Sequence, residues 1–160
     1  MANSVENLSL AKNLRWKLFL LGFFKIPMLG RLHPKIECIN DEMVQVKIKL
    51  KRRSKNHLNS MYFGALAVGA DCCGGLHAFY FAEKYHKKIS FAFKSMSAQF
   101  LKRAETDATF IFNSGKEIEA LVMKSIETGE RYNHTCTIEV FNTSKELVAT
   151  FNMEASLKVV

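Results

Sequence analysis

The sequence predicts an α+β fold, a curled antiparallel sheet wrapped around one long helix, with an extra helix ahead of the first strand. Three observations predict it. The run Asn56 to Lys84 is apolar or small almost throughout its middle, from Phe63 to Phe81, which marks a helix that buries its surface. Period-two alternation lies on both sides of that run, with Val44, Val46, Ile48 and Leu50 interleaved with Gln45, Lys47, Lys49 and Lys51 before it. Two further alternating stretches close the chain as a hairpin.

Taken in order, residues Leu8 to Lys25 predict an amphipathic helix with Leu14, Leu18 and Leu21 on one face, ended by Pro27 and Gly30. It is either a packing helix or a membrane-surface helix, because Trp16, Phe19, Phe23 and Phe24 accompany basic residues. Strands are expected over Lys35–Ile39 and Met43–Leu50, joined by an Asn40-Asp41 turn. The central helix follows, its glycines and alanines costing up to about 1 kcal/mol each in propensity and favouring close backbone approach. Ile89–Arg103 reads as a long strand whose inward phase passes from Ile89, Phe91 and Phe93 to Met96, Ala98 and Phe100, which requires a bulge near Ser95. Thr106–Asn113 predicts another strand and Lys116–Thr128 a short helix stopped by Gly129. Tyr132–Asn142 and Glu146–Val159 form the closing pair of strands.

The length of 160 residues implies one domain, with residues 1–30 as helix and connection and 31–160 as core. A net charge of +8 favours an anionic partner, but no nucleic-acid motif accompanies it. No run reaches the length that crossing a bilayer requires, and Leu18–Phe24 makes a poor signal peptide. Cys38, Cys72, Cys73 and Cys136 lack metal-ligand spacing; adjacent Cys72 and Cys73 read as small buried thiols, and the cysteine usage as that of a reducing, cytoplasmic protein.

A single carboxylate, Asp71, sits inside the apolar run. It either caps a turn at a helix break near Cys72–Gly75 or marks a site, since a charge in apolar surroundings needs a partner, a raised pKa or a wet cleft. Asn56 allows an Asx turn or a polar contact to substrate. Ser60 fits a helix N-cap better than a catalytic group, and His57 fits a surface loop better than a base. The basic run Lys51, Arg52 and Arg53 is either solvated or a cradle for phosphate. Lys94, in an aromatic strand, either pairs with a carboxylate or meets a phosphate.

The segment Asn56-His57-Leu58-Asn59-Ser60-Met61-Tyr62-Phe63-Gly64, with Asp71 seven residues later, resembles a signature of hotdog-fold acyl-CoA thioesterases, N-x-x-G-[ST]-x-[HF]-G-G followed by an acidic residue. It is most similar to an uncharacterised thioesterase-like branch that carries an N-terminal helix, a strand lysine, here Lys94, and an element matched by Phe100-Leu101-Lys102-Arg103-Ala104. Asn59, Tyr62 and Phe63 depart from the pattern. The resemblance implies a homodimer or a dimer of dimers, no cofactor and no nucleic acid, with coenzyme A entering only as part of an acyl thioester. It further implies a site at the subunit interface. Asp71 of one subunit would be base or nucleophile, and Asn56, Ser60 and the amides of Phe63 and Gly64 of the other would hold the thioester. Tyr62 would line the acyl channel or simply pack, and Lys51, Arg52, Arg53, Lys102 and Arg103 would meet the phosphates. Hydrolysis and non-catalytic acyl binding both fit this pattern; an RNA- or membrane-surface role rests on charge alone.

Overall fold

The computed structural model describes the backbone of residues 2–160 and the side chains of residues 9–160. Helix α1 spans Ala2–Leu20 and passes into a π turn at Leu21–Lys25, followed by α2 at Pro27–Leu32. The strands are β1 Lys35–Ile39, β2 Val44–Ile48, β3 Ile89–Phe100, β4 Ala108–Phe112, β5 Tyr132–Phe141 and β6 Leu147–Val159. Helix α3, Phe63–Lys84, joins β2 to β3, and α4, Gly115–Thr128, joins β4 to β5. The six strands make one antiparallel sheet in the order β1-β2-β4-β5-β6-β3.

The alternation of β2 does what its pattern demands. Val44, Val46 and Ile48 are buried, and they meet the equally buried Phe112, Phe110 and Ala108 of β4 across the ladder. The expected bulge in β3 is there: the register to β6 shifts between Phe93 and Ser95, leaving Lys94 as the extra residue. Phe93 opposes Ala155 and Met96 opposes Met153, so the inward face is kept across the shift.

Helix α3 packs against β2, β3, β4, β5 and β6, and its small residues let it come close. A Cβ at Gly69 would overlap the ring of Phe110, and one at Gly74 would stand 3.2 Å from Ile138 and Phe93. Two expectations need correction. The helix is not covered all round, because Phe63, Asp71 and Phe79 remain exposed along one side. It is also long and apolar enough to cross a membrane; here most of that surface is spent on the sheet.

The N-terminal helix departs from its expected phase. Leu14 is buried, but Leu21 is exposed, because the turn widens there and Ile26 N donates to Leu21 O at 2.8 Å, five residues back. The helical run stops at Lys25, just ahead of Pro27, as expected, but Gly30 stops no helix. Pro27 starts α2, where its missing N–H does no harm. Gly30 packs backbone-to-backbone on Gly22, where any side chain would overlap the Gly22 carbonyl.

Candidate functional site at the tip and open side of the central helix

The loop before α3 is organised by Asn56. Its Oδ1 accepts hydrogen bonds from Leu58 N at 2.9 Å, Ser60 N at 3.2 Å and Ser60 Oγ at 3.2 Å, and its own N–H donates to Ser60 O at 2.8 Å. An Asx side chain closing a turn on its own backbone is the chemistry of this residue type. Asn59 lies at φ +61°. That explains a motif departure: the position needs a left-handed backbone, which glycine adopts freely and asparagine tolerates.

Ser60 is not the helix cap. Its hydroxyl is committed to Asn56 and buried, while Tyr62 occupies the capping position with an extended backbone and no capping side chain. Tyr62 O accepts from Ala65 N at 2.9 Å and Leu66 N at 3.2 Å. The two amides ahead of them, Phe63 and Gly64, have no preceding carbonyl in helical register, the ordinary state of a helix's first donors. They carry partial positive charge from the helix dipole.

Two aromatic rings guard this tip. Tyr62 and Phe63 stand with ring centroids 4.6 Å apart, and both are exposed. A Cβ at Gly64 would stand 2.6 Å from the Tyr62 ring, so a side chain there would displace the tyrosine from its place over the tip. Two backbone bonds fix the loop: Tyr62 N donates to Ser54 O and Met61 N to Ala104 O, each at 2.8 Å. They bring the turn carrying Lys51, Arg52 and Arg53 and the segment carrying Lys102 and Arg103 to the same end of the molecule. Lys102 pairs with Glu146 at 2.7 Å and Arg103 with Glu105 at 3.8 Å, all exposed. Lys94 is exposed and makes no ion pair among the described residues.

Asp71 does not cap a helix break, because α3 runs unbroken to Lys84. It lies on the uncovered side of the helix, and desolvation by the surrounding apolar surface pushes its pKa up. At 1.5 Å rise per residue it stands roughly 10 Å along the axis from Gly64. The acid and the tip amides of a single chain therefore cannot grip the same carbonyl carbon.

The opposite end of α3 holds polar groups that sequence reasoning passed over, since they are scattered through an apolar run. Tyr80 Oη donates to Asp41 Oδ1 at 2.8 Å, and Lys84 bridges Asp41 and Glu119 at 3.0 Å each. His77 is fully buried, with Nε2 2.8 Å from Asn40 O and Nδ1 without a partner among the described residues. Burial lowers its pKa against the opposing pull of that carbonyl. The cysteines are free thiols, and burial pushes Cys72 and Cys136 to about 12, with the Asp71 charge adding to the shift at Cys72. Such thiols are inert. Among the described residues no cluster of three or more His, Cys, Asp or Glu side chains could hold a metal ion.

A curled antiparallel sheet around one helix, with its order of strands and its helix-tip motif, defines the hotdog class. Solved structures bear this out. A Shewanella oneidensis protein taken to be a thioesterase superposes with TM-score 0.79 at 11% identity, over 92% of this chain and 99% of that one. A thioesterase from Haemophilus influenzae gives 0.63 at 11% over 82% of each. A single-residue variant of a thioesterase from Staphylococcus aureus gives 0.65 at 15%, over 82% and 98%. Identities this low show the shared fold. The chain itself belongs to the family described as domain of unknown function DUF4442, whose model matches residues 15–159. No curated protein sequence matches it.

Proposed function

We propose that the protein is an acyl-CoA thioesterase that works as a homodimer. The observation that carries this reading is the open side of α3: a carboxylate with a raised pKa set in an apolar helix, and tip amides that no group among the described residues claims, too far apart in one chain to act together. β3 is an edge strand of twelve residues whose outer edge pairs with no strand among the described residues. Met96 and Phe100 stand on its inward face and Phe79 on the neighbouring helix, all exposed. An isologous pairing of two such edges lays two α3 helices antiparallel, bringing the tip of one toward the middle of the other.

In that pair the amides of Phe63 and Gly64 polarise the thioester carbonyl and take up the charge of the developing oxyanion. Asp71 of the second subunit activates water or attacks directly. Asn56 shapes the loop that presents the amides, its carbonyl oxygen already engaged. Tyr62 and Phe63 wall the acyl channel. Lys51, Arg52 and Arg53 meet the phosphates of coenzyme A, with Lys94, Lys102 and Arg103 at the rim.

The test is a thiol-release screen of the purified protein over acyl-CoA chain lengths, with its subunit count measured by sedimentation. Wild type should hydrolyse at least one acyl-CoA as a dimer, and Asp71→Asn should lower kcat/KM by about 10²–10⁴ with the dimer intact. Tight acyl-CoA binding with no turnover would instead assign a non-catalytic acyl carrier, the reading that the aromatic pair at the tip favours. A monomer that hydrolyses nothing would sink both.

A further inference from the structure

The N-terminal helical segment has two apolar faces, and the fold uses one. Leu10, Ala11 and Leu14 are buried against the domain. On the opposite side of the same helix, at positions i, i+3 and i+7, stand Trp16, Phe19 and Phe23. Their rings stack in sequence with centroids 5.5 and 6.2 Å apart, and Phe24 meets Phe23 at 4.8 Å. Trp16 is 60% exposed, Phe23 67% and Phe24 70%; Ile26 and Met28 extend the patch. Buried residues fill a core, and scattered exposed ones need no explanation, but a contiguous aromatic ridge needs a cover.

Charge identifies the cover. Residues 9–35 contain Lys12, Arg15, Lys17, Lys25, Arg31 and Lys35 and no acidic residue, so six of the eight net positive charges lie here. A second copy of so basic a face would repel the first. Interfaces between proteins favour aromatics, Met and Arg but are depleted of Lys, and four of the six cations here are lysines. Aromatic side chains on one face flanked by Lys and Arg are the pattern of a helix lying in the interface of an anionic bilayer. The patch is also held rigidly. The backbone contact of Gly22 with Gly30 clamps the π turn onto α2, and Arg15 Nε donates to Ile36 O at 3.2 Å. Beside the ridge runs a groove of about 1070 Å³ whose lining includes Leu18, Phe19, Phe23 and Met28, the cations Arg15, Arg31 and Lys35, and one acid, Glu37. Apolar walls with three cations to one acid fit a lipid whose headgroup is anionic.

We infer that the protein docks reversibly on anionic membrane surfaces through Trp16, Phe19, Phe23 and Phe24, with Lys12, Lys25, Arg31 and Lys35 facing the headgroups. The inference stands independently of the thioesterase reading, since it uses another face of the molecule.

Trp16 is the chain's one tryptophan, so its emission reports this patch directly. Full-length protein is titrated at 0.1 M KCl with vesicles of phosphatidylcholine containing about 30% phosphatidylserine, and with pure phosphatidylcholine. Wild type should blue-shift and co-sediment with the first and bind the second at least tenfold more weakly, since each basic residue near the surface adds about fivefold. Phe19→Ser with Phe23→Ser should weaken binding at least tenfold; Lys25→Glu with Arg31→Glu should weaken it only on the anionic vesicles. Circular dichroism and thermal melting confirm that both variants are folded. The inference is overturned by no emission shift on anionic vesicles, by equal binding to neutral ones, or by unchanged binding of the double-serine variant. A change in its subunit count in sedimentation overturns it too, because the ridge would then be covered by another subunit.

Discussion

The two sides of helix α3 tell different stories about the same apolar sequence. On the closed side, Gly69 and Ala70 press onto a sheet whose Val44, Val46, Phe110 and Phe112 have no solvent exposure at all. On the open side, Phe63 is 60% exposed and Phe79 45%, and the nearby strand leaves Phe100 53% exposed. Composition does not separate them, since both are aromatic and aliphatic. The closed side has its partners within the chain, whereas the open side carries one carboxylate and a strand edge that pairs with no strand among the described residues. Burial on the first side is stability; want of cover on the second is what an assembly and a site are made from.

The sharpest break in this comparison comes from emptying the closed side. Phe110→Ala removes the ring that lies under Gly69 and should cost about 3–5 kcal/mol, read as a lower urea midpoint at every protein concentration. Charging the open side should act otherwise. If the proposed dimer forms, Met96→Asp with Phe100→Asp should convert it to a monomer in sedimentation, and the rise of thermal midpoint with protein concentration should vanish.

Smaller effects follow from two titratable groups. His77 has a lowered pKa in the folded chain, so the unfolded chain binds a proton first as the pH falls. Stability should therefore be complete above the unfolded value of about 6.5 and decline below it. His77→Gln should flatten the profile between pH 7 and 5. Asp71 is the opposite case: its folded pKa is raised, so the folded state holds its proton longer and stability falls as pH rises through that value. Asp71→Asn should melt slightly higher than wild type at pH 7, with the gap closing below about pH 4. A gap of the reverse sign would mean that a cation of the chain or its partner pairs with the acid. Least of all, Lys102→Ala should leave the melting temperature unchanged, because its bond to Glu146 lies in full solvent.

Much of the fold was legible because its signals are local and periodic. The alternation of Val44, Val46 and Ile48, the change of phase around Ser95 and the stop at Gly129 each belong to a few consecutive residues, and each appears in the structure. The turn signals misled where one residue type serves two ends. Gly30 reads as a stop but is a contact point for Gly22, a residue eight positions earlier. Leu21 reads as core because a period of 3.6 was carried through a turn that widens. In the loop before α3, sequence could name Asn56 and Ser60 as polar groups near a helix start. It could not say that they would bond to each other and leave the tip without a capping side chain.

By itself the sequence determined the class of fold, the long central helix, the bulged strand and the presence of one acid in apolar surroundings, since these follow from patterning along the chain. Only the tertiary structure decided which side of that helix is left open and that an aromatic ridge faces outward at the N-terminus. Exposure depends on which distant segments come to lie against a residue, and no periodicity within a segment records that.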